Sequence, residues 1–202
     1  MDMGPEIEPH PHHHTGRQWV DVVLGVSVIL ISLISLMLAV ENGNAMRRLV
    51  QANSWPFVIA ATSNTDETGA PLLGFTMQNK GVGPAKIQSL EVFYKGKPTP
   101  NPRTLIHTIL GPSANGVIVH FIASSVVGNV LSSKETVTFF SVKDKSINPK
   151  YLQQLADANK DIGFKTCYCS VFDECWTLKL VDSLAPPQPI KTCPIPKVPF
   201  DL

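Results

Sequence analysis

The 202-residue chain has no excess of charge of either sign. It contains 17 Lys and Arg residues against 16 Asp and Glu residues, and its formal net charge is +1. Proteins that bind nucleic acid or another acidic polymer usually carry a clear basic patch that shows in this balance. We therefore expect no nucleic-acid partner.

Motifs that carry catalysis or hold a cofactor are also missing. Gly81-Val82-Gly83-Pro84 lacks the third glycine and the Lys-Ser/Thr of a phosphate loop, and the segment 111–115 has Asn115 where a nucleophile elbow requires glycine. His107 and His120 are far apart in sequence and have no neighbouring carboxylate. We expect a protein that is not an enzyme, with no catalytic, cofactor-binding or metal-binding residues and no cofactor.

Cysteine is absent from the first 166 residues. Four cysteines lie in the last fifth of the chain: Cys167, Cys169, Cys175 and Cys193. An even, clustered set favours disulfides in an oxidising compartment. The spacing has no C-x-x-C redox motif and no paired C-x2-C zinc knuckles, so a zinc site is the weaker alternative.

The segment CYCSVFDECW predicts a β-hairpin with its bend at Phe172. In that register Cys169 lies opposite Cys175 on one face of the sheet, and Tyr168 lies opposite Trp176 on the core face. A cross-strand disulfide between Cys169 and Cys175 is therefore compatible with the hairpin.

Cys167 shares the outer face with Cys169, because alternate residues of a strand point to the same side. Cys193 is able to reach this face. Of the three possible pairings we favour Cys169 with Cys175 and Cys167 with Cys193. The proline-rich residues 185–202 are then expected to form an extended strap held over that face.

A run of nineteen uncharged residues, Val22–Val40, is the most prominent pattern of the sequence. At about 1.5 Å of rise per residue it spans just under 30 Å, the thickness of a bilayer's hydrocarbon core. We expect a transmembrane helix over residues 19–41 and a helical stalk over 42–54. Membrane lipid is then a partner. A cleaved signal peptide ending near Gly43-Asn44-Ala45 is the alternative.

Side chains on this helix suggest how it is anchored in the membrane and what it packs against. Three residues are expected at the membrane interface: Trp19, Arg47 and Arg48. Three small residues recur at helical spacing and favour packing against another transmembrane helix: Ser32, Ser35 and Ala39. The alternative for the serines is a hydrogen bond to a carbonyl of their own helix.

Residues 1–18 are rich in Pro, Glu and His and have no apolar periodicity, so we expect a disordered tail. The histidines of the HPHHH tract offer metal ligands without fixed geometry, and incidental low complexity is the preferred interpretation.

The orientation of the helix has conflicting signals. Arg47 and Arg48 follow the apolar run, and the positive-inside tendency would place the C-terminal domain in the cytoplasm. Long domains translocate largely regardless of flanking charge, and the cysteines favour an oxidising compartment. We therefore expect a single-pass membrane protein, with the N-terminus cytoplasmic and the C-terminal domain on the extracytoplasmic side.

Residues 55–184 contain short apolar or alternating segments separated by turn residues. Seven of them predict strands: WPFVIAATSN, PLLGFTMQN, KIQSLEVFY, GVIVHFIA, ETVTFFSV, IGFKTCYCSVF and CWTLKLV. The pattern favours an all-β fold, an antiparallel Ig-like sandwich of about seven strands. Two helical insertions are expected, at RTLIHTIL and at PKYLQQLADANKD, where Asn148 would cap the helix and Pro149 would occupy its first position.

Three motifs carry a resemblance to a known group. They are Ser54-Trp55-Pro56, the turn Asn79-Lys80-Gly81-Val82-Gly83-Pro84-Ala85, and the segment CYCSVFDECW. With the N-terminal anchor, this layout resembles uncharacterised bacterial single-pass membrane proteins that have an extracytoplasmic β-sandwich domain. The resemblance implies this architecture in a bacterial inner membrane, with the N-terminus cytoplasmic and the C-terminal domain periplasmic, and it brings no chemistry with it.

Three functions are compatible with this sequence. The first is an accessory or interaction subunit that meets other membrane proteins through its helix and its sandwich loops. The second is a ligand-binding or sensory ectodomain. The third is an envelope hydrolase, for which the sequence supplies no convergent ionisable groups.

Overall fold

The computed structural model describes residues 18–114, 116–143, 146–180 and 186–201. The chain divides into two compact units, Met1–Leu49 and Val50–Leu202. The expected tail and its histidines lie outside the described residues, apart from Gln18. We call the second unit the body, and the end at which the chain enters it from the N-terminal helix the proximal end.

Helix α1 runs from Gln18 to Ala52 without interruption and has no buried residue. The expected span and stalk are thus one continuous helix. Its most apolar window of 18 residues has a mean hydropathy of 2.8, so the helix is long and apolar enough to cross a bilayer, and a signal sequence has the same properties. The hydroxyl of Ser32 donates to the carbonyl of Val28 at 2.7 Å, the intrahelical alternative for this serine.

Among the described residues of the body, ten strands form two antiparallel sheets. Their bounds are β1 Val58–Thr65, β2 Pro71–Asn79, β3 Ala85–Tyr94, β4 Lys97–Thr99, β5 Ile122–Ala123, β6 Val130–Leu131, β7 Thr136–Val142, β8 Ile162–Cys169, β9 Cys175–Leu180 and β10 Gln188–Ile190. One sheet has the order β1-β2-β7-β5. The other has the order β10-β9-β8-β3-β4, with β6 paired to β3.

All seven predicted segments contribute a strand, but the expected number of about seven is too low. The additional strands β4, β6 and β10 are two or three residues long, too short to produce an alternating pattern. One predicted strand is much shorter than expected: GVIVHFIA contributes only Ile122–Ala123, which pair with β7. The residues before Ile122 run beside a helix and do not pair with a strand. Their apolar and polar side chains alternate as in a strand, so the sequence pattern is the same.

Aromatic rings hold the two sheets together. Phe75 of β2 lies 4.8 Å from Phe164 of β8, edge to face, and 4.8 Å from Phe140 of β7. All three are fully buried, at 0–1% exposure. Each such side chain contributes about 1.5–3 kcal/mol through burial alone.

Two helices form where they are predicted. Helix α2 covers Pro102–Leu110, and the side chain of Asn101 accepts from the Thr104 N–H at its start. Helix α3 covers Pro149–Asp157, with the side chain of Asn148 accepting from the Lys150 N–H. Both helices begin with proline after an asparagine cap, so local sequence determines where they start.

The C-terminal residues belong to the body and are not a separate tail. Strand β10 pairs with β9 at one edge of the larger sheet. At the other end of the segment, the N–H of Phe200 donates to the carbonyl of Leu90 on β3, and Phe200 is only 4% exposed. Residues 188–201 therefore form a strap that starts at one sheet edge and ends in the core.

Candidate docking surface at the proximal end

Asn79, at the end of β2, is the main polar link of the proximal end. It is fully buried, and its side chain meets five main-chain groups: Oδ1 accepts from the N–H of Phe57 and of Gly81, and Nδ2 contacts the carbonyls of Gly83, Leu131 and Ser132 at 2.7–3.2 Å. One amide thus joins the segment before β1, the β2–β3 turn and the end of β6. The sequence indicated only a turn here.

The two glycines of the same turn allow the incoming chain to pass close by. A Cβ at Gly83 would lie 2.0 Å from the carbonyl oxygen of Ser54, and one at Gly81 would lie 2.4 Å from that of Trp55. Both distances are much shorter than a van der Waals contact, so no side chain fits at either position. The Trp55 carbonyl also accepts from the N–H groups of Val82 and Gly83. The Ser-Trp-Pro and N-x-G-V-G-P-A motifs are therefore one packed unit.

Tyr168 connects the third motif to the same end. Its hydroxyl accepts from the Val58 N–H at 3.3 Å, across from β8 to β1, and its ring stacks on Trp176 at 5.8 Å. Burial raises the pKa of Tyr168 to about 12, and the hydrogen bond from Val58 partly opposes that rise. A neutral phenol is thus the form that the folded state favours.

This shift predicts how stability depends on alkaline pH. The pKa is 10.0 when unperturbed and about 12 in the folded chain, so the folded state holds the proton more tightly. The stabilisation is complete below pH 10 and is lost as pH rises through 12, by about 2–3 kcal/mol. Tyr168→Phe removes this dependence and the bond to Val58.

Urea unfolding at pH 8 and above pH 11 measures this effect. The stability difference between the wild type and Tyr168→Phe is expected to shrink as the pH increases, whereas parallel curves would contradict a buried phenol. Other titrating groups cancel in this comparison because both proteins carry them.

The cysteines occupy the hairpin and the strap. Cys169 is bonded to Cys175 and Cys167 to Cys193, with S–S distances of 2.07 and 2.00 Å. This is the pairing that the hairpin register predicts, and β8 and β9 have that register. The sulfurs of Cys169, Cys175 and Cys193 lie within 4.8 Å of one another, yet each is in a disulfide and none is a free thiolate for zinc.

Several exposed apolar side chains lie at the proximal end. Among described residues beyond Ala52, nine large apolar side chains are exposed: Trp55, Val82, Ile118, Ile122, Val127, Val130, Val171, Phe172 and Ile195. Four of them extend from the three motif segments, and we call these the proximal surface: Trp55, Val82, Val171 and Phe172.

The hairpin that carries Val171 and Phe172 is fixed at this end. Lys86, the second residue of β3, lies opposite Cys169 in the sheet and forms a salt bridge with Asp173 at 2.5 Å. The β2–β3 turn immediately precedes β3, so both turns lie at the same end of the larger sheet. Within the turn, the Ser170 hydroxyl accepts from the Phe172 N–H at 3.1 Å.

A second feature lies beside α2. A groove of about 530 Å³ is bordered by α2 and the extended residues 117–121, and it brings together Arg103, His107 and His120. The two histidines are far apart in sequence, but the fold places both of them at this groove. None of the described residues that line it is Asp, Glu or Ser.

No protein-family model, no curated protein and no solved structure matches this chain significantly. The residues and their geometry are therefore the basis for any functional conclusion.

Proposed function

We propose that this protein is a membrane-anchored accessory subunit that docks onto a larger membrane or envelope complex and has no catalytic role. The proximal surface is the observation that supports it. Val82 is 61% exposed and Phe172 is 44% exposed, although the turns that carry them are fixed by hydrogen bonds and a salt bridge.

Rigid, exposed apolar groups fit protein binding better than any structural role. Grouped exposed apolar side chains are unfavourable in water and commonly mark interaction sites. Aromatic residues such as Trp55 and Phe172 bury large areas and lose little side-chain entropy on binding, so they often supply much of the affinity. The fixed turns reduce the ordering cost further.

The location is part of the proposal. Helix α1 would span a bacterial inner membrane, with Trp19 at one interface and Arg47 and Arg48 at the other, and with the body in the periplasm. Two disulfides support an oxidising compartment for the body. Protease added to intact spheroplasts is expected to digest the body. A body that is protected until the membrane is opened would reverse the orientation.

The helix offers a second contact with the same complex. Ser32, Ser35 and Ala39 would let a partner helix approach closely. The hydroxyl of Ser32 is satisfied within its own helix, so this contact would depend on the small size of the three side chains and not on hydrogen bonds between helices.

We also propose that the body is Ig-like. The seven longer or predicted strands, β1–β3, β5 and β7–β9, would form the sandwich, and β4, β6 and β10 would be additions to one sheet. An experimental structure with a different strand order would contradict this.

Polar substitutions in the proximal surface test the docking role. Val82→Ser combined with Phe172→Ser removes two exposed apolar groups and is expected to reduce co-purification of the partner complex in mild detergent at least tenfold. Val82 is 61% exposed and Phe172 is about half exposed, so the change in folding stability should stay below about 2 kcal/mol.

The matched control is Ile118→Ser combined with Ile195→Ser, which changes side chains that are 75% and 94% exposed and lie outside the proximal surface. It should leave co-purification unchanged. A partner-free wild-type particle, or equal losses in both double variants, would count against the docking role.

The groove beside α2 favours a second candidate function, the binding of a small anionic ligand. Arg103, His107 and His120 border it, and no described lining residue is acidic. Its apolar wall includes Ile106 and Leu110, so the ligand would have an apolar part. A titration with amphipathic anions that gives no binding would remove this candidate.

A further inference from the structure

The two disulfides are in contact with each other. The sulfur of Cys169, which is bonded to Cys175, lies 3.7 Å from the sulfur of Cys193, which is bonded to Cys167. The fold causes this contact, because Cys167 and Cys169 point to the same outer face of β8 and the strap crosses that face at Cys193. A sulfur of one disulfide is therefore in contact with a sulfur of the other disulfide in the folded chain.

The four cysteine residues differ in their exposure to solvent. Cys167, Cys169 and Cys175 are 2%, 6% and 7% exposed, whereas Cys193 is half-buried and its neighbours Thr192 and Pro194 are exposed. An external thiol therefore meets the strap sulfur first. Thiol–disulfide exchange depends on which sulfur a thiolate is able to reach.

We propose that the two disulfides form one exchange centre that accepts two electrons from a dithiol at Cys193 and then rearranges to a Cys169–Cys193 bond. The reductant belongs to the chemical class of dithiol oxidoreductases. This inference does not rest on the docking role.

The first stage reduces one disulfide. A thiolate of the dithiol attacks the Cys193 sulfur, the Cys167–Cys193 bond breaks, and Cys167 leaves as a thiolate that takes up a proton. The second thiol of the reductant then attacks the mixed disulfide. The reductant departs as its own disulfide, and Cys193 is released as a thiolate. Two electrons and one proton have then been transferred to the protein, and the second proton is taken up at Cys175 in the next stage.

The second stage is internal and needs no further reductant. The Cys193 thiolate attacks the Cys169 sulfur, its 3.7 Å neighbour in the intact structure, and the Cys169–Cys175 bond breaks. Cys175 leaves as a thiolate and is protonated. The product has a Cys169–Cys193 disulfide and thiols at Cys167 and Cys175.

This rearrangement has a consequence for the strap. After uptake of two electrons the strap is still bonded to β8, through Cys169 in place of Cys167. A second dithiol is then required to release it. The centre thus transfers two reducing equivalents from the accessible sulfur to the hairpin while the strap stays attached.

Limited reduction of the full chain in detergent tests the exchange. One equivalent of dithiothreitol is added, free thiols are trapped by acid and alkylated, and the linked peptides are identified by mass spectrometry. Chymotrypsin is suitable because Tyr168 separates Cys167 from Cys169, and Phe172 separates Cys169 from Cys175.

Three products are distinguishable. Alkylation at Cys167 and Cys175 with a 169–193 linkage is the expected result. Alkylation at Cys167 and Cys193 only, or at Cys169 and Cys175 only, means that one disulfide opens without exchange and overturns the proposal.

Cys175→Ala provides a second test that needs no reductant. It leaves the Cys169 thiol beside the Cys167–Cys193 disulfide, so both the 167–193 and the 169–193 linkages are expected, with faster exchange at higher pH because the thiolate is the nucleophile. Recovery of the 167–193 linkage alone at every pH would overturn the proposal. Cys167→Ala is the complementary variant, since it leaves the Cys193 thiol beside the Cys169–Cys175 disulfide. Both the 169–175 and the 169–193 linkages are expected, and recovery of the 169–175 linkage alone at every pH would also overturn the proposal.

Discussion

Replacing Asn79 with alanine is expected to lower the free energy of unfolding by about 3–5 kcal/mol. The amide meets five main-chain groups while fully buried. Alanine would leave several of them without a partner, at about 1–3 kcal/mol each, reduced where water enters the space.

Asn129→Ala is the matched control, because Asn129 is exposed and its side chain donates only to the Ser125 carbonyl among the hydrogen bonds described. Its expected cost is below about 1 kcal/mol. Urea unfolding followed by tryptophan fluorescence compares the two variants. A difference of less than 1 kcal/mol between them would contradict the role of Asn79 as the main polar link of the proximal end.

Removing the strap disulfide is expected to have an effect of similar size. The Cys167–Cys193 bond joins residues 26 positions apart, and a loop of that length predicts a loss of about 3–4 kcal/mol for Cys167→Ala combined with Cys193→Ala. The variant should also let Phe200 leave the core transiently, so that protease cleaves within residues 186–201.

The hairpin disulfide supplies the comparison. Cys169 and Cys175 are only 6 positions apart, and their joint replacement by alanine should cost about 2 kcal/mol and leave the strap resistant to protease. Both measurements use unfolding midpoints and limited proteolysis of the full chain. Equal protease sensitivity of the strap in the two double variants would show that the disulfide does not hold it.

The cysteine pairing was predictable because the two-residue period of a strand fixes which side chains share a face. With a bend at Phe172, Cys169 has one opposite neighbour, and Cys167 is left on the same face for Cys193. The start of α3 was predictable from local sequence, since an asparagine cap followed by proline is a local signal. The same signal, Asn101-Pro102, starts α2 immediately before the predicted segment RTLIHTIL.

Features that depend on contacts between distant segments were not predictable. Asn79 in a turn motif has the same local signal whether its side chain faces water or, as here, contacts residues 57 and 131. His107 and His120 meet at one groove only because residues 117–121 run along α2. The very short strands depend on their partners and have no pattern of their own.

The fold gives the three sequence motifs a common explanation. Ser54-Trp55-Pro56, the turn at Asn79–Ala85 and the hairpin at 167–176 lie far apart in sequence, yet all three build the proximal end. Their buried residues hold the turns together, and their exposed residues form the proximal surface. This division of roles is what makes the surface the leading candidate for a docking site.

Photo-crosslinking in native membranes tests the docking claim most directly. A photo-reactive amino acid in place of Phe172 is expected to give one discrete adduct with a membrane or envelope protein, and the same probe in place of Ile118 is expected to give none. Equal crosslinking at both positions, or no adduct at Phe172 while the chain is intact and in the membrane, would contradict it.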